Sequence, residues 1–101
     1  GGLGSASSSN IGNKYALFEA IHGTAPFLIN HGRGNYANPC SIIRAAGQLM
    51  AHIGYGDRNE KLEKALDICC NTEKRLVVTT DTDGATAAEF TDYLLDTIHS
   101  L

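Results

Sequence analysis

The sequence predicts an α/β fold, and it predicts that this chain forms only part of one. Two short apolar segments, YALFEAI at residues 15–21 and LVVTT at residues 76–80, have the composition of buried β-strands. Stretches with apolar residues at helical spacing lie between and after them. Because two strands are too few for a stable sheet, the missing strands must come from elsewhere in a larger protein.

Composition indicates a globular chain and excludes several functional classes. The 101 residues are 43% hydrophobic and 19% charged, with a formal net charge of −3. This charge argues against a nucleic-acid partner held by a basic surface. No apolar run reaches the roughly 18–20 residues of a membrane span, and no secretory signal is recognisable. We therefore expect no membrane partner, and a cytoplasmic or mitochondrial-matrix location rather than secretion. The lack of an initiating Met suggests processing, excision or a fragment.

The cysteines suggest reduced thiols rather than a disulfide framework. There are 3 of them, an odd number, and Cys69 and Cys70 are adjacent, which rarely allows a disulfide. Such usage is typical of intracellular proteins. The chain lacks a CxxC motif and its histidines lack ligand spacing, so we expect no zinc site. Cys40 lies near a predicted helix start, but no neighbouring base marks it as a nucleophile.

The first part of the chain is predicted to run from a loop through a strand into a longer loop. Residues 1–13 are rich in Gly, Ser and Asn, which is typical of a loop, a surface strap or a linker. Residues 15–21 are the first strand, although their Ala and Leu also allow a helix. Gly23 and Pro26 then end regular structure, and residues 27–38 are predicted to be a long irregular loop.

Two helices are predicted next. Asn38 caps the first, with a proline in its first turn, and Gly54 follows its last turn. Asp57 caps the second, with Glu60 three residues later, and this helix ends near Asn71. The positions predicted to face inward are Ile42, Ala46, Leu49 and Ile53 in the first helix, and Leu62, Leu66 and Cys69 in the second.

The end of the chain is predicted to form a strand, a turn and a final helix. Residues 76–80 are the strand and residues 81–84 (DTDG) the turn. An EF-hand calcium loop aligned on the glycine of this turn would need a glutamate where the chain has Phe90. Thr86 and Glu89 form a capping box. The residues that line the following helix are Phe90, Leu94, Ile98 and Leu101.

The strongest candidate for a binding site is the segment from His22 to Asn38, because ligands of open α/β sheets bind beyond the carboxyl ends of strands. Gly23 allows close approach of a ligand to the backbone, Thr24 offers a hydroxyl, and nearby N–H groups could hold a phosphate. The Asn38 amide could bind an adenine edge, and His22 could stack or form a hydrogen bond. On the pattern alone a structural interpretation is favoured, with His22 an ordinary loop histidine and Asn38 only a helix cap.

Four motifs along the chain favour a binding role over a purely structural one for His22 and Asn38. They are GGLGSASSSNIG at residues 1–12, ALFEAIHGTAP at 16–26, YANP at 36–39 and RLVVTTDTDGATAAEFTDYLLDTI at 75–98. Together they resemble the C-terminal region of the β-decarboxylating dehydrogenases, the isocitrate and 3-isopropylmalate dehydrogenase family. The resemblance covers essentially the whole chain, and FEAIHGTAP with a downstream ANP is its specific part.

This resemblance implies a fold, a reaction and a set of cofactor contacts. The fold would be a two-domain α/β dimer, with residues 1–101 as the C-terminal segment of the large domain, incomplete on its own. The reaction would be oxidation of a 2-hydroxy acid by NAD or NADP and loss of a carboxylate, with Mg²⁺ or Mn²⁺ stabilising the enolate. The residues it assigns to adenosine and its phosphates are His22, Gly23, Thr24, Ala25, Pro26, Phe27, Leu28 and, against adenine, Asn38.

The chain departs from the family pattern in two ways. Phe27 and Leu28 stand where the family carries Asp for the ribose of NAD or Lys-Tyr for the 2′-phosphate of NADP, so cofactor preference stays open. Arg33 is the one cation in this stretch, which is longer than the family's common form, and it could meet a 2′-phosphate. The family's substrate arginines, catalytic Tyr and Lys, and metal-binding aspartates lie before GGLG. We therefore expect no catalytic residue and no metal ligand here, and no activity from this segment alone.

HGTAP rather than HGSAP, and the long approach to YANP, favour isocitrate, oxidised to 2-oxoglutarate, over isopropylmalate. A segment of a 3-isopropylmalate dehydrogenase and a non-catalytic regulatory subunit of the same fold are the alternatives. An independent small binding module is a third class. In the complete protein we expect a homodimer or a higher oligomer.

Overall fold

A computed structural model describes residues 6–21 and 25–101 of the chain. Its elements are, in order, β1 (Ser7–Ile11), β2 (Ala16–Ala20), α1 (Ala25–Asn30), α2 (Cys40–His52), α3 (Gly56–Asp67) and α4 (Ala87–His99). A short 3-10 turn, Gly34–Tyr36, lies between α1 and α2, and a π-helical turn, Ile68–Thr72, continues α3.

The two strands form an antiparallel ribbon. Ser7 pairs with Ala20 and Ile11 with Ala16, and the Gly12 N–H donates to the Tyr15 carbonyl at 2.8 Å to close the turn. The strand predicted at residues 15–21 is present as β2, but its predicted burial is wrong, because Tyr15 and Leu17 are 85% and 55% exposed. The loop, strap or linker predicted for residues 1–13 is wrong at Ser7–Ile11, and residues 1–5 lie outside the described part. Ile11 is the single β-branched residue of β1, and its other residues are Ser or Asn, so the composition gives little sign of a strand and the backbone pairing defines it.

The segment after β2 is more regular than predicted. Pro26 lies in the first turn of α1, where its missing N–H costs no helical hydrogen bond, rather than ending regular structure. The single irregular loop predicted for residues 27–38 is wrong, because α1 and the 3-10 turn occupy most of it. The Arg33 N–H donates to the Leu28 carbonyl at 2.7 Å and closes the end of α1.

The start of α2 is shifted by one residue from the prediction, and its end agrees with it. Pro39 occupies the N-cap position, so the prediction of Asn38 as the N-cap is wrong. The Asn38 side-chain oxygen still accepts the backbone N–H of Cys40 at 2.9 Å, so it caps the helix from one residue further out. After the helix, Gly54 has φ +106°, a conformation that favours glycine, and the N–H of Tyr55 donates to the Met50 carbonyl at 2.8 Å.

The start of α3 differs from the prediction. Tyr55 occupies the N-cap position of α3, so the prediction that Asp57 caps this helix is wrong. Asp57 lies in the first turn instead, where a negative charge still interacts favourably with the helix dipole. The π-helical turn carries the helical path to Thr72, close to the predicted end at Asn71.

The core lies where α3 and its π-helical turn pack against α4 and the start of α2. Its buried members are Cys40, Ala65, Leu66, Cys69, Phe90, Tyr93 and Leu94, with Ile43, Leu62, Cys70, Leu76, Val78 and Ile98 packed around them. This confirms the inward positions predicted for α3 and most of those predicted for α4. Leu101 is the exception, since it lies beyond α4 and is 42% exposed.

The inward face predicted for α2 is wrong. Ile42, Leu49 and Ile53 are 56%, 45% and 59% exposed, while Ala45 and Gly47 are buried. The reason is steric: a Cβ at Gly47 would collide with the Asn59 side chain of α3. Small residues let the two helices approach closely, and the larger apolar residues lie on the other face.

Residues 76–80 do not form the predicted strand within the described part of the chain. A strand needs a hydrogen-bonded neighbour, and here the ladder is replaced by one bond, from the Ala85 N–H to the Val77 carbonyl at 2.8 Å. Val77 is 50% exposed, so the burial predicted for this segment is also wrong. The turn at residues 81–84 is confirmed, and Gly84 is required there because a Cβ would lie 2.9 Å from the Val77 carbonyl oxygen.

The capping box predicted for α4 is present. The Thr86 hydroxyl accepts the Glu89 N–H at 3.1 Å, and the Glu89 carboxylate accepts the Thr86 N–H at 2.9 Å. That second bond lowers the pKa of Glu89, because it stabilises the ionised carboxylate. None of the helices described is both long enough and apolar enough to span a membrane.

Replacing Thr86 with Ala is expected to lower the free energy of unfolding by about 1 kcal/mol, because α4 loses its side-chain cap. Urea unfolding of the protein that contains this segment measures the change. Thr82→Ala is the matched control: the Thr82 hydroxyl makes only a 3.5 Å contact with Asp81, and its loss is expected to cost under about 0.5 kcal/mol. Equal stabilities for the two variants would contradict the capping role.

Candidate functional site

The structure places the described part of the predicted site around the two ends of one connecting segment. His22, Gly23 and Thr24 lie outside the described residues. Residues 25–28 form the first turn of α1, directly after them, and Asn38 lies two residues before the start of α2. The site is therefore defined at its edges by β2, α1 and the start of α2.

A buried hydroxyl joins the two ends of this segment. Ser41, in the first turn of α2, is 1% exposed. Its Oγ accepts the N–H of Ile21 at 2.6 Å and contacts the carbonyl oxygens of Ala6 and Ile21. Because Ile21 precedes His22 and Ser41 follows Asn38, this contact sets the distance between the two ends of the predicted site.

The sequence analysis missed Ser41, and the chain offers no pattern that would have found it. A polar residue in the first turn of a helix is common and usually faces solvent. Only the meeting of β2 with α2 turns this serine inward.

An aromatic stack lies on the exposed side of α1. The Phe27 ring is stacked on His31 with centroids 4.1 Å apart, and the Arg33 guanidinium carbon is 5.2 Å from the Phe27 ring centroid. His31 Nδ1 lies 2.9 Å from the Phe27 carbonyl oxygen, so the Nδ1–H tautomer donates this bond. Phe27 is 52% exposed and presents a ring face, whereas Leu28 is 5% exposed and packs inward.

Arg33 connects the site to the turn before α4. Its guanidinium lies 3.4 Å from an Asp81 carboxylate oxygen, and the Thr82 N–H donates to the other oxygen at 2.7 Å. The Thr82 N–H, with a smaller contribution from Arg33, lowers the pKa of Asp81 because both stabilise the ionised carboxylate. The sequence analysis identified Arg33 as a cation but missed Asp81 as its partner, because nothing local relates residues so far apart.

Asn38 has two functional groups, and the helix uses one of them. Its carbonyl oxygen accepts the Cys40 N–H, and an amide nitrogen carries two further N–H donors. Capping and ligand binding are therefore compatible roles for Asn38. A half-buried amide beside a helix start can bind the edge of a heterocycle without releasing the helix.

The described groups of the predicted site are an aromatic ring, a guanidinium and an amide. A ring face at Phe27, a cation at Arg33 and an amide at Asn38 suit a flat base and an anionic phosphate. Within residues 6–21 and 25–101, no group of three or more His, Cys, Asp or Glu side chains is placed to bind a metal ion.

Comparison with known proteins identifies the class of this chain. The family model described as isocitrate/isopropylmalate dehydrogenase matches residues 1–98. The chain belongs to the isocitrate/isopropylmalate dehydrogenase family, which confirms the resemblance found in its motifs.

Individual relatives agree with this assignment. The chain is 36% identical over 102 residues to an isocitrate/homoisocitrate dehydrogenase of Thermus thermophilus, covering 100% of this chain and 29% of that protein. It is 45% identical over 65 residues to a Rickettsia typhi protein named isocitrate dehydrogenase (NADP), covering 64% of this chain and 13% of that protein. It is 44% identical over 66 residues to a 3-isopropylmalate dehydrogenase of Methanothermobacter thermautotrophicus, covering 65% of this chain and 19% of that protein.

A solved structure confirms the α/β class. The crystal structure of isocitrate dehydrogenase from Methylococcus capsulatus matches with a TM-score of 0.83 and 30% identity, covering 97% of this chain and 28% of that chain. The chain thus spans less than a third of the length of these relatives. It is a partial domain, as the sequence predicts.

Replacing Ser41 with Ala is expected to lower the free energy of unfolding by about 1 kcal/mol, because the Ile21 N–H and the Ala6 carbonyl lose the buried hydroxyl that they share. Denaturant titration of the protein containing this segment tests this. Ser9→Ala, at an exposed position of β1, is the control and should change stability by less than about 0.5 kcal/mol. If both variants unfold at the same denaturant concentration, the hydroxyl does not hold the segment.

Proposed function

We propose that residues 1–101 are the C-terminal, cofactor-binding segment of the large domain of an enzyme that oxidises and decarboxylates isocitrate to 2-oxoglutarate. The observation that carries this proposal is the bonding of Asn38. Its side-chain oxygen accepts the Cys40 N–H at the start of α2, which leaves its amide N–H groups as hydrogen-bond donors to an adenine base. Relatives named isocitrate dehydrogenase, matched over all or nearly all of this chain, support the substrate.

The proposed cofactor is NAD or NADP, which accepts the hydride from the substrate. In this proposal residues 22–26 wrap the adenosine and its phosphates, the Asn38 amide donates to adenine, and the Phe27 ring faces the nucleotide. Leu28, being buried, would act by holding α1 in place. Ser41 supports the site by keeping Ile21 close to α2.

The rest of the enzyme would supply the chemistry. Substrate-binding arginines, the acid–base pair and the ligands of Mg²⁺ or Mn²⁺ are proposed to lie outside this segment, and the complete protein is proposed to be a homodimer or a higher oligomer. The alternative substrate is 3-isopropylmalate, because one relative carries that name. A regulatory subunit of the same fold is favoured only by Phe27 and Leu28, which match neither cofactor pattern. Assays of the complete protein with both acids and both cofactors separate these possibilities.

Asn38→Asp and Asn38→Ser are expected to raise the KM for the cofactor about 3- to 10-fold, because each loses the amide donor to adenine. Each keeps an oxygen that accepts the Cys40 N–H, so the cap survives. We expect the KM for isocitrate to stay within about twofold and the free energy of unfolding within about 0.5 kcal/mol of the parent.

Asn35→Ser, in the exposed 3-10 turn, is the matched control for these variants and should leave both constants unchanged. A loss of stability with no change in cofactor KM would mean that Asn38 is only a helix cap. Unchanged kinetics and unchanged stability would refute both roles.

Arg33→Ala is expected to lower kcat/KM for NADP about 10- to 100-fold while leaving that for NAD within about twofold, because only NADP carries the 2′-phosphate that the guanidinium would bind. Arg58→Ala is a matched control, since Arg58 also lies 5.2 Å from a ring centroid, that of Tyr55. A parallel fall for both cofactors, or no fall for either, would mean that Arg33 serves only its contact with Asp81.

A further inference from the structure

The sulfur atoms of two cysteines meet where α2 begins. Cys40 Sγ lies 3.9 Å from Cys70 Sγ, which belongs to the π-helical turn after α3. Cys40 is 3% exposed, and Cys70 is half-buried. One member of the pair is therefore reachable from solvent, and the other lies behind it.

The third cysteine is held apart from this pair. Cys69 is fully buried, and its thiol donates to the Thr97 hydroxyl of α4 at 3.3 Å. Adjacent cysteines also rarely form a disulfide. Cys40, distant in sequence, is therefore the partner that the fold gives to Cys70.

The two thiols of the pair differ in reactivity. The pKa of Cys70 is lowered to about 7, because a Cys70 thiolate accepts a hydrogen bond from the neighbouring Cys40 thiol. Arg44 also lowers this pKa, whereas burial and Asp67 raise it. The same contact, together with burial, raises the pKa of Cys40. Cys70 is the nucleophile of the pair at neutral pH, and Cys40 is its resolving thiol.

We propose that Cys40 and Cys70 form a redox-responsive dithiol, which hydrogen peroxide converts into a disulfide, and that this disulfide weakens the adjoining nucleotide site. First, the Cys70 thiolate attacks a peroxide oxygen, the O–O bond breaks, and Cys70 sulfenic acid and hydroxide form. Then the Cys40 sulfur attacks the Cys70 sulfur, the S–O bond breaks, and the leaving hydroxide departs as water with the Cys40 proton. In total, two thiols give up two electrons and two protons to one peroxide, which becomes two waters.

The proposed disulfide requires the two sulfurs to move together, and we assign part of this movement to the first turn of α2. A disulfide places its sulfurs about 2 Å apart, so the pair must approach by roughly 2 Å. The Cys40 N–H is the donor to Asn38, so movement of this turn also moves the amide assigned to adenine. The effect on nucleotide binding rests on the proposed function, whereas disulfide formation does not.

The test uses the complete protein, reduced and then exposed to hydrogen peroxide. Peptide mapping under non-reducing conditions should give a linked Cys40–Cys70 peptide that has lost two hydrogen atoms and that dithiothreitol separates. Oxidation should raise the KM for the cofactor by at least about threefold, reversibly, with kcat within about twofold. Cys40→Ser and Cys70→Ser should abolish both effects, while Cys69→Ser should keep them. Thermal melts of the reduced variants show that each is folded.

Each outcome decides a part of the proposal. Cysteines that are oxidised without linkage, or a disulfide that includes Cys69, would overturn the dithiol. A Cys40–Cys70 disulfide with an unchanged KM would overturn its effect on the nucleotide site. A reduced parent that binds neither cofactor would overturn the proposed function instead, and the peptide map would still report on the thiol pair.

Discussion

The geometry of the candidate site depends on one buried hydroxyl, that of Ser41. It is the polar contact between the end of the β-ribbon and the first turn of α2, and it fixes Ile21 close to the helix that Asn38 caps. Ile21 and Ser41, which flank residues 22–40, are therefore held at a fixed separation. Fixed ends reduce the conformational freedom that a loop must lose when it orders around a ligand. The hydrogen bond of one buried hydroxyl thus sets the position of groups that themselves lie near the surface.

The contacts around Arg33 have a different character. Its ion pair with Asp81 involves a carboxylate that is 59% exposed, and such pairs contribute only about 0–1 kcal/mol. The stack of Phe27 on His31 is also at the surface. These contacts orient side chains rather than stabilise the fold. Buried bonds such as that of Ser41 maintain the framework, and weak exposed contacts leave the ring and the cation able to adjust to a ligand.

Elements whose determinants lie within a few residues of one another were predictable from the sequence. The Asn38 cap, the left-handed Gly54 and the capping box of Thr86 and Glu89 each depend on hydrogen bonds between near neighbours. Elements that depend on distant partners were not. β1 exists because β2 pairs with it, and Ser41 is buried because β2 meets α2. The motifs of the site were recognisable only as a family resemblance, since no local rule relates an adenine-binding amide to a strand end.

The error on α2 has a physical explanation in the size of this segment. Its outward stripe includes Ile42, Leu49 and Ile53, which are large, regularly spaced and more than two-fifths exposed. Hydrophobic periodicity records burial in the whole domain, and this chain spans less than a third of the length of its relatives. A stripe that another part of the domain covered in the complete protein would be exposed in the segment alone. The same reasoning applies to Val77, whose β-branched segment has the composition of a central strand but lacks the neighbours that would make it one.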